Sequence, residues 1–152
     1  LSDNANIPTF EIMQRMMLVH VSVPYQINLA LKGHLINADD GLLADIIHIS
    51  DYVAEKGSKK HIAYAASKAA LENMTKSFAS LLAPHVKVNS IAPSLIIFND
   101  HDDDDYRKKA KQKSLLNKEA GELEFVNTVQ FLLDSQYITG RSIALDGGRH
   151  LN

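Results

Sequence analysis

The chain has no cysteine. That rules out disulfide staples and thiolate metal centres and suits a reducing, cytoplasmic compartment. It has no tryptophan and only four prolines and seven glycines. No run is apolar for long enough to span a bilayer, and there is no leader-like segment. No excess of either charge marks a nucleic-acid or membrane-surface binder: 16 basic residues face 18 acidic ones. A glycine-rich turn after a first strand, which a dinucleotide-binding fold uses to bring a pyrophosphate onto a helix N-terminus, is also missing. Gly147-Gly148 follows the last apolar run and is in the wrong context for that role. The chain opens on Leu1 rather than Met, so it is expected to be part of a longer product.

What is present is enough for one domain. A length of 152 residues with 45% apolar side chains can bury a fair core. Residues 1–10 read as a loop. Glu11 to about Leu35 reads as helical, either interrupted at Pro24 or with Pro24 in the first turn of a second helix. Asn37-Ala38-Asp39-Asp40-Gly41 is a turn cluster. Asp45 to Ser50 suits a buried strand, as does Val86 to Ala92, with Pro93 as its stop. A helix from about Ala63 should end near Pro84. Residues 94–118 read as a loop with a short charged helix. Glu119 to Leu133 is a helix with Leu123, Val126, Val129 and Leu133 at core spacing. Ser142 to Leu145 is the last strand. This alternation predicts an α/β fold with parallel strands of the doubly wound class.

Tyr64 and Lys68 lie four residues apart and so share a helix face. An ammonium beside a phenol favours the phenolate and is expected to pull its pKa below about 10, making Tyr64 a candidate proton donor and acceptor. On their own, these two residues could equally be a surface tyrosine and a solvated lysine. Asp51 and Ser50 end the first strand, where such folds place ligands; the alternative for Asp51 is a turn cap. The run from His101 to Asp105, followed by Arg107, Lys108, Lys109, Lys111 and Lys113, reads as a helix charged to suit its dipole rather than as a metal site, and no metal is expected.

Taken in order, Ser50-Asp51-Tyr52-Val53, Tyr64-Ala65-Ala66-Ser67-Lys68, Val88-Asn89-Ser90-Ile91-Ala92-Pro93-Ser94-Leu95 and Leu145-Asp146-Gly147-Gly148 resemble the C-terminal half of a short-chain dehydrogenase/reductase. Within that family they resemble the pterin reductase branch. The resemblance implies that residues 1–152 form the C-terminal portion of one domain, a partial Rossmann-type sheet lacking its N-terminal strands. It implies NADPH as cofactor, with Tyr64 as general acid and Lys68 also on the nicotinamide ribose. Ser50, Pro93, Ser94 and Leu95 would line the nicotinamide site. Ser94 stands where the family more often has glycine. Asp51 stands where most members have serine, and implies a dihydropterin substrate rather than a ketone, with protons passed to ring nitrogens. His20 occupies the place of an asparagine that relays protons in many members. Ala63, Ala65, Ala66, Ala69 and Ala70 would form a close-packing face, implying a homo-oligomer, a dimer or tetramer. Two other readings stand beside this one. The first is a truncated, non-catalytic dimerising module, inactive without a cofactor turn. The second is a dehydrogenase acting on a carbonyl or alcohol.

Overall fold

The structure is a computed structural model that describes residues 8–37 and 43–152. The first seven residues of the expected N-terminal loop, and Ala38 to Gly41 of the expected turn cluster, lie outside the described residues.

Helix α1 (Thr9–Met17) starts two residues earlier than the sequence suggests, directly after Pro8. A proline there costs nothing, because the first N–H groups of a helix have no partner in it. Ile12 and Met16, one turn apart, point inward and pack on Ala63. The rod then widens through a single π turn, Leu18–Ser22, before α2 (Val23–Ile36). Pro24 sits in the first turn of α2. Its ring crowds the carbonyl of His20 and it offers no N–H to the ladder. Val23 N–H instead reaches back to the Leu18 carbonyl. Pro24 thus stands in the first turn of the second helix, as the alternative expectation has it, and does not break the rod.

Strands β1 (Ala44–Ile49), β2 (Val86–Pro93) and β3 (Ser142–Leu145) form a parallel sheet in the order β1-β2-β3. Ile46 stands opposite Val88, His48 opposite Ser90, and Ser90 opposite Ser142. β2 is buried along all but its last residue. Among the described residues β1 has a ladder partner on one side only, and Ile49 is exposed. A short helix α3 (Val53–Lys56) follows β1.

Helix α4 (Ile62–Leu82) lies on β2. Phe78, Ala79 and Leu82 bury themselves with Val86 and Val88. Full burial of each large side chain contributes about 1.5–3 kcal/mol. The helix ends at Ala83, whose backbone is extended because the following Pro84 excludes the helical region. Ala63 and Ala65 are buried inside the fold, whereas Ala66 and Ala69 remain exposed.

Helix α5 (Asp104–Lys111) is capped by Asp103, whose carboxylate accepts from Tyr106 N–H at 2.7 Å. Asp104 and Asp105 occupy its first turn and Lys108, Lys109 and Lys111 its last, matching the helix dipole.

Helix α6 (Glu122–Asp134) departs from expectation. It begins three residues late, after Gly121 with φ of +82°. It also turns a different face inward. Leu132 is fully buried, with Phe125, Thr128 and Val129 half-buried, while Leu123, Val126 and Leu133 are exposed. The helix is apolar on more than one side, so periodicity alone does not choose a face. The choice follows from Lys87. This lysine is buried on β2, 3.2 Å from Asp45. It donates to the carbonyls of Leu132, Leu133 and Ser135 at the end of α6. A buried ammonium needs such partners, and the negative end of a helix dipole supplies them.

Beneath the C-terminal half of β1 lies a buried polar triad. His48 Nδ1 is 2.8 Å from Thr75 Oγ1, and His48 Nε2 is 2.9 Å from Asn28 Nδ2. Burial holds the His48 pKa below its ordinary value. The unfolded chain protonates near pH 6.5. Above that value both states are neutral and the triad contributes fully. As pH falls through it, the unfolded chain takes up a proton that the folded chain refuses, so stability is lost, by up to about 1.4 kcal/mol per pH unit until the lower folded value is reached. Urea midpoints of the intact protein at pH 7.5 and 5.5 should therefore fall further for wild type than for His48→Asn. Parallel losses would show that His48 has no part in this pH dependence.

Candidate active site

The C-terminal ends of β1 and β2 and the first turns of α4 meet at one place. Asp51 follows β1 through Ser50, and its carboxylate is used twice. Oδ1 accepts from Val53 N–H at 3.0 Å, closing the turn into α3, and Oδ2 accepts from the Tyr64 hydroxyl at 2.8 Å. The turn-cap reading of Asp51 thus holds on one oxygen, while the other oxygen meets Tyr64.

Lys68, one turn along from Tyr64, is buried. Its Nζ donates to the Ile49 carbonyl at 2.8 Å and lies 5.7 Å from the centre of the Tyr64 ring. Burial lowers the lysine's pKa, and the Asp51 charge opposes that. The effect on Tyr64 is opposite to the sequence expectation. Burial first, then the hydrogen bond to Asp51 and that carboxylate's charge, push the phenol well above its ordinary value. Burial disfavours the phenolate, and Asp51 adds to this by direct contact with the hydroxyl, whereas the ammonium is anchored on a backbone carbonyl. At neutral pH Tyr64 keeps its proton.

His20 lies on the π turn against this pair. Its ring meets that of Tyr64 edge-on, 5.3 Å between centres. His20 Nδ1 is 2.9 Å from Ser67 Oγ, and Ser67 donates its own hydrogen to the Tyr64 carbonyl at 2.7 Å. Ser67 must therefore accept from Nδ1–H, which leaves Nε2 of the neutral ring with its lone pair. Burial, then Lys68, lower the His20 pKa.

Ser50 is buried, and its N–H donates to the Ile91 carbonyl at 2.7 Å. Its Oγ, however, is buried without a hydrogen-bond partner among the described residues. The Pro93 carbonyl accepts from Tyr52 N–H at 3.1 Å, tying the segment after β2 to the Asp51 turn. Ser94 N–H donates to the Leu145 carbonyl at 3.1 Å, and the Leu95 carbonyl accepts from Ala120 N–H at 3.3 Å. Ser94 and Leu95 line a small cleft with Lys118, Glu119, Leu145 and Asp146. A second cleft, which Asp146 also lines, takes in Asp51, Ala92 and His150. Positions 50–51 and 93–95 therefore follow neighbouring strand ends, with Tyr64 joined to this region through Asp51 and Lys68 through the Ile49 carbonyl.

Three features of this region were not picked out from the sequence. The Asn28–His48–Thr75 triad is one, and Ser67 as the link between His20 and Tyr64 is another. The third is the bonding of Asp146 within the Asp-Gly-Gly match: it accepts from Gly148 N–H, His150 N–H and His150 Nδ1 at 2.7 to 3.0 Å. Burial acts against this carboxylate, but those bonds outweigh it and hold its pKa below the usual range. The Asp-Gly-Gly signature thus closes a turn. A side chain at Gly148 would press on Leu115 at 3.1 Å, and its φ of +78° excludes most residues. The one available signal was spacing, since Thr75 falls on the face of α4 that carries Tyr64 and Lys68. Among the described residues no group of three or more His, Asp or Glu is arranged to hold a metal, and no helix is long and apolar enough to cross a membrane.

Comparison with known proteins agrees with this geometry. A family model described as Enoyl-(Acyl carrier protein) reductase matches residues 7–150. Dihydromonapterin reductase of Escherichia coli K12 is 54% identical over 151 residues, which is 99% of this chain and 62% of that protein. The chain thus spans less than two thirds of the length of this relative. Among solved structures, FolM alternative dihydrofolate reductase 1 from Brucella suis in complex with NADP is similar over the whole chain and 60% of its own, with a TM-score of 0.86 and 27% identity. Acetoin dehydrogenase from Enterobacter cloacae covers 97% of the chain with 58% of its own, at a TM-score of 0.82 and 25% identity. With the Tyr64–Lys68 pair standing at the strand ends of a parallel sheet, and with these matches along its length, the chain belongs to the short-chain dehydrogenase/reductase family.

Proposed function

We propose that the protein carrying this chain is an NADPH-dependent reductase that converts a dihydropterin, dihydromonapterin or dihydrofolate, to its tetrahydro form. The observation that carries the reading is the 2.8 Å hydrogen bond from Tyr64 to Asp51. A carboxylate in that place suits a substrate with basic ring nitrogens better than one with a carbonyl alone. The 54% identity to dihydromonapterin reductase supports the same choice, and the NADP held by the Brucella suis protein supports the cofactor.

The residues present fit the nicotinamide end of such a cofactor. Ser50 Oγ is buried and lacks a partner at the end of β1, beside the carbonyl that anchors Lys68. An orphaned buried hydroxyl is costly unless a ligand satisfies it. In this reading Ser50, Pro93, Ser94 and Leu95 border the nicotinamide, and Lys68 reaches its ribose. A bound NADPH would supply the hydride for the carbon of the pterin C=N bond, being oxidised to NADP+. The nitrogen of that bond takes a proton from Tyr64, and Asp51 passes protons between the phenol and solvent. A phenol with a raised pKa is still a competent acid here, because the nitrogen that has gained the electron pair is far more basic than a phenolate. Lys68 then stabilises the phenolate until it is reprotonated. We also propose that the protein works as a homo-oligomer, with the exposed Ala66 and Ala69 on the contact face.

Asp51→Ser tests the substrate assignment. In the intact protein the ratio of kcat/KM for dihydropterin over a quinone should fall at least tenfold, since serine can polarise a carbonyl but cannot ferry a proton to nitrogen. An unchanged ratio would mean that Asp51 serves the turn alone.

A second reading, a module without activity of its own, is favoured by two observations. β1 lacks a partner on one side among the described residues, and the chain has no glycine-rich turn.

A further inference from the structure

Side-chain hydrogen bonds tie β1 and the turn after it to α4 at successive levels. At the open end Tyr64 Oη bonds Asp51 Oδ2, and one turn on Lys68 Nζ bonds the Ile49 carbonyl, each at 2.8 Å. Seven residues further along the same face of α4, about 10 Å on, Thr75 Oγ1 meets His48 Nδ1, again at 2.8 Å.

The hydrogen positions in this last contact follow from its neighbours. Thr75 spends its own hydrogen on the Leu71 carbonyl at 3.0 Å, so its oxygen accepts from His48 Nδ1–H. Nε2 then carries a lone pair and accepts from Asn28 Nδ2, 2.9 Å away on α2. His48 and Asn28 are buried, and Thr75 is almost completely so. The neutral imidazole is therefore fixed in one tautomer by two helices at once. His48 also immediately precedes Ile49, whose carbonyl anchors Lys68. Any slide of α4 along β1 would lengthen all of these contacts together.

We propose that His48 is a positioning residue for the reaction: through Thr75 it sets how far α4 sits along β1, and so holds Tyr64 and Lys68 in register with Asp51 and the Ile49 carbonyl. The proposal rests on the reading of Tyr64 as proton donor. A misplacement of about 1 Å can cost on the order of a hundredfold in rate.

The test uses paired variants of the intact protein, assayed with dihydrofolate and NADPH and checked for fold by circular dichroism. Thr75→Val removes the acceptor at nearly constant volume. It should lower kcat at least tenfold and change KM for either substrate less than threefold, and Thr75→Ser should restore kcat to within threefold of wild type. At position 48, asparagine places its amide where Nδ1 was and keeps the contact with Thr75, whereas glutamine places it where Nε2 was and loses that contact. His48→Asn should therefore be at least fivefold faster in kcat than His48→Gln. This contrast decides the matter if Thr75→Val does not fold. Equal rates in the two His48 variants, a folded Thr75→Val enzyme with kcat within twofold of wild type, or a loss confined to KM would each overturn the proposal. Tyr64→Phe is run alongside. If it keeps full turnover, the proton-donor reading fails by itself, while the contrast between the His48 variants still reports whether that contact matters to the rate.

Discussion

Tyr64→Phe is expected to lower turnover by about 10²–10⁴-fold, the range attributable to a lost general acid, and to leave cofactor binding within a few fold of wild type. The variant keeps the ring, and with it the edge contact with His20 and the packing beside Ile12 and Met16. It removes one hydroxyl and the bond to Asp51. The loss should therefore lie in kcat, because binding uses the ring and the surrounding backbone while proton delivery uses only the oxygen. Relieved of its partner, the Asp51 carboxylate faces solvent or the turn at Val53, so a modest change in stability is expected beside the large change in rate. Steady-state kinetics with dihydropterin and NADPH, together with fluorescence titration of NADPH, check both halves. Near wild-type kcat would remove Tyr64 from the reaction.

The second large effect concerns residues 1–152 taken alone. They should neither bind NADPH tightly nor reduce pterins. They hold side chains suited to the nicotinamide end, but no glycine-rich turn to receive a pyrophosphate. β1 adds a physical difficulty. Its second edge is without a ladder partner among the described residues, and Ile49 on it is exposed. Unpaired strand groups next to apolar side chains invite pairing with another chain. The isolated segment should therefore self-associate, which sedimentation would show. Calorimetric titration with NADPH on mass-verified material would decide the binding question, and micromolar affinity would mean that the cofactor site has been misplaced.

The parts of this fold set by local chemistry could be read directly from the residues. Pro93 stops β2 and Pro84 ends α4, because each restricts the backbone next to it. Asp103 and the acids after it start α5. The contact between Tyr64 and Asp51 was reachable too, through the family resemblance. Features set by non-local partners were not. The face that α6 buries depends on Lys87, forty-five residues before Leu132 in the chain, and nothing in the apolar pattern of that helix reveals it. The direction of the Tyr64 shift depends on burial and then on the Asp51 carboxylate held at its oxygen, neither of which helix spacing supplies. The role of His48 depends on residues from two helices that meet only once the chain has folded.

The π turn at Leu18–Ser22 also sets a phase. A regular α-helix advances about 100° per residue. Met16 points into the cluster at Ala63, and Asn28, twelve positions later, points at His48. In an uninterrupted helix those two side chains would diverge by about 120°. With one residue taken up by the wider turn, they diverge by only about 20°. One rod can thus present an apolar edge to the start of α4 and an amide to the buried end of β1 on nearly the same side. The extra residue matters only through the wider turn that absorbs it: forcing all twelve steps into a regular helix would rotate everything after Ser22 by about 100°, swinging Asn28 off the imidazole and leaving Nε2 of His48 unpaired in the interior.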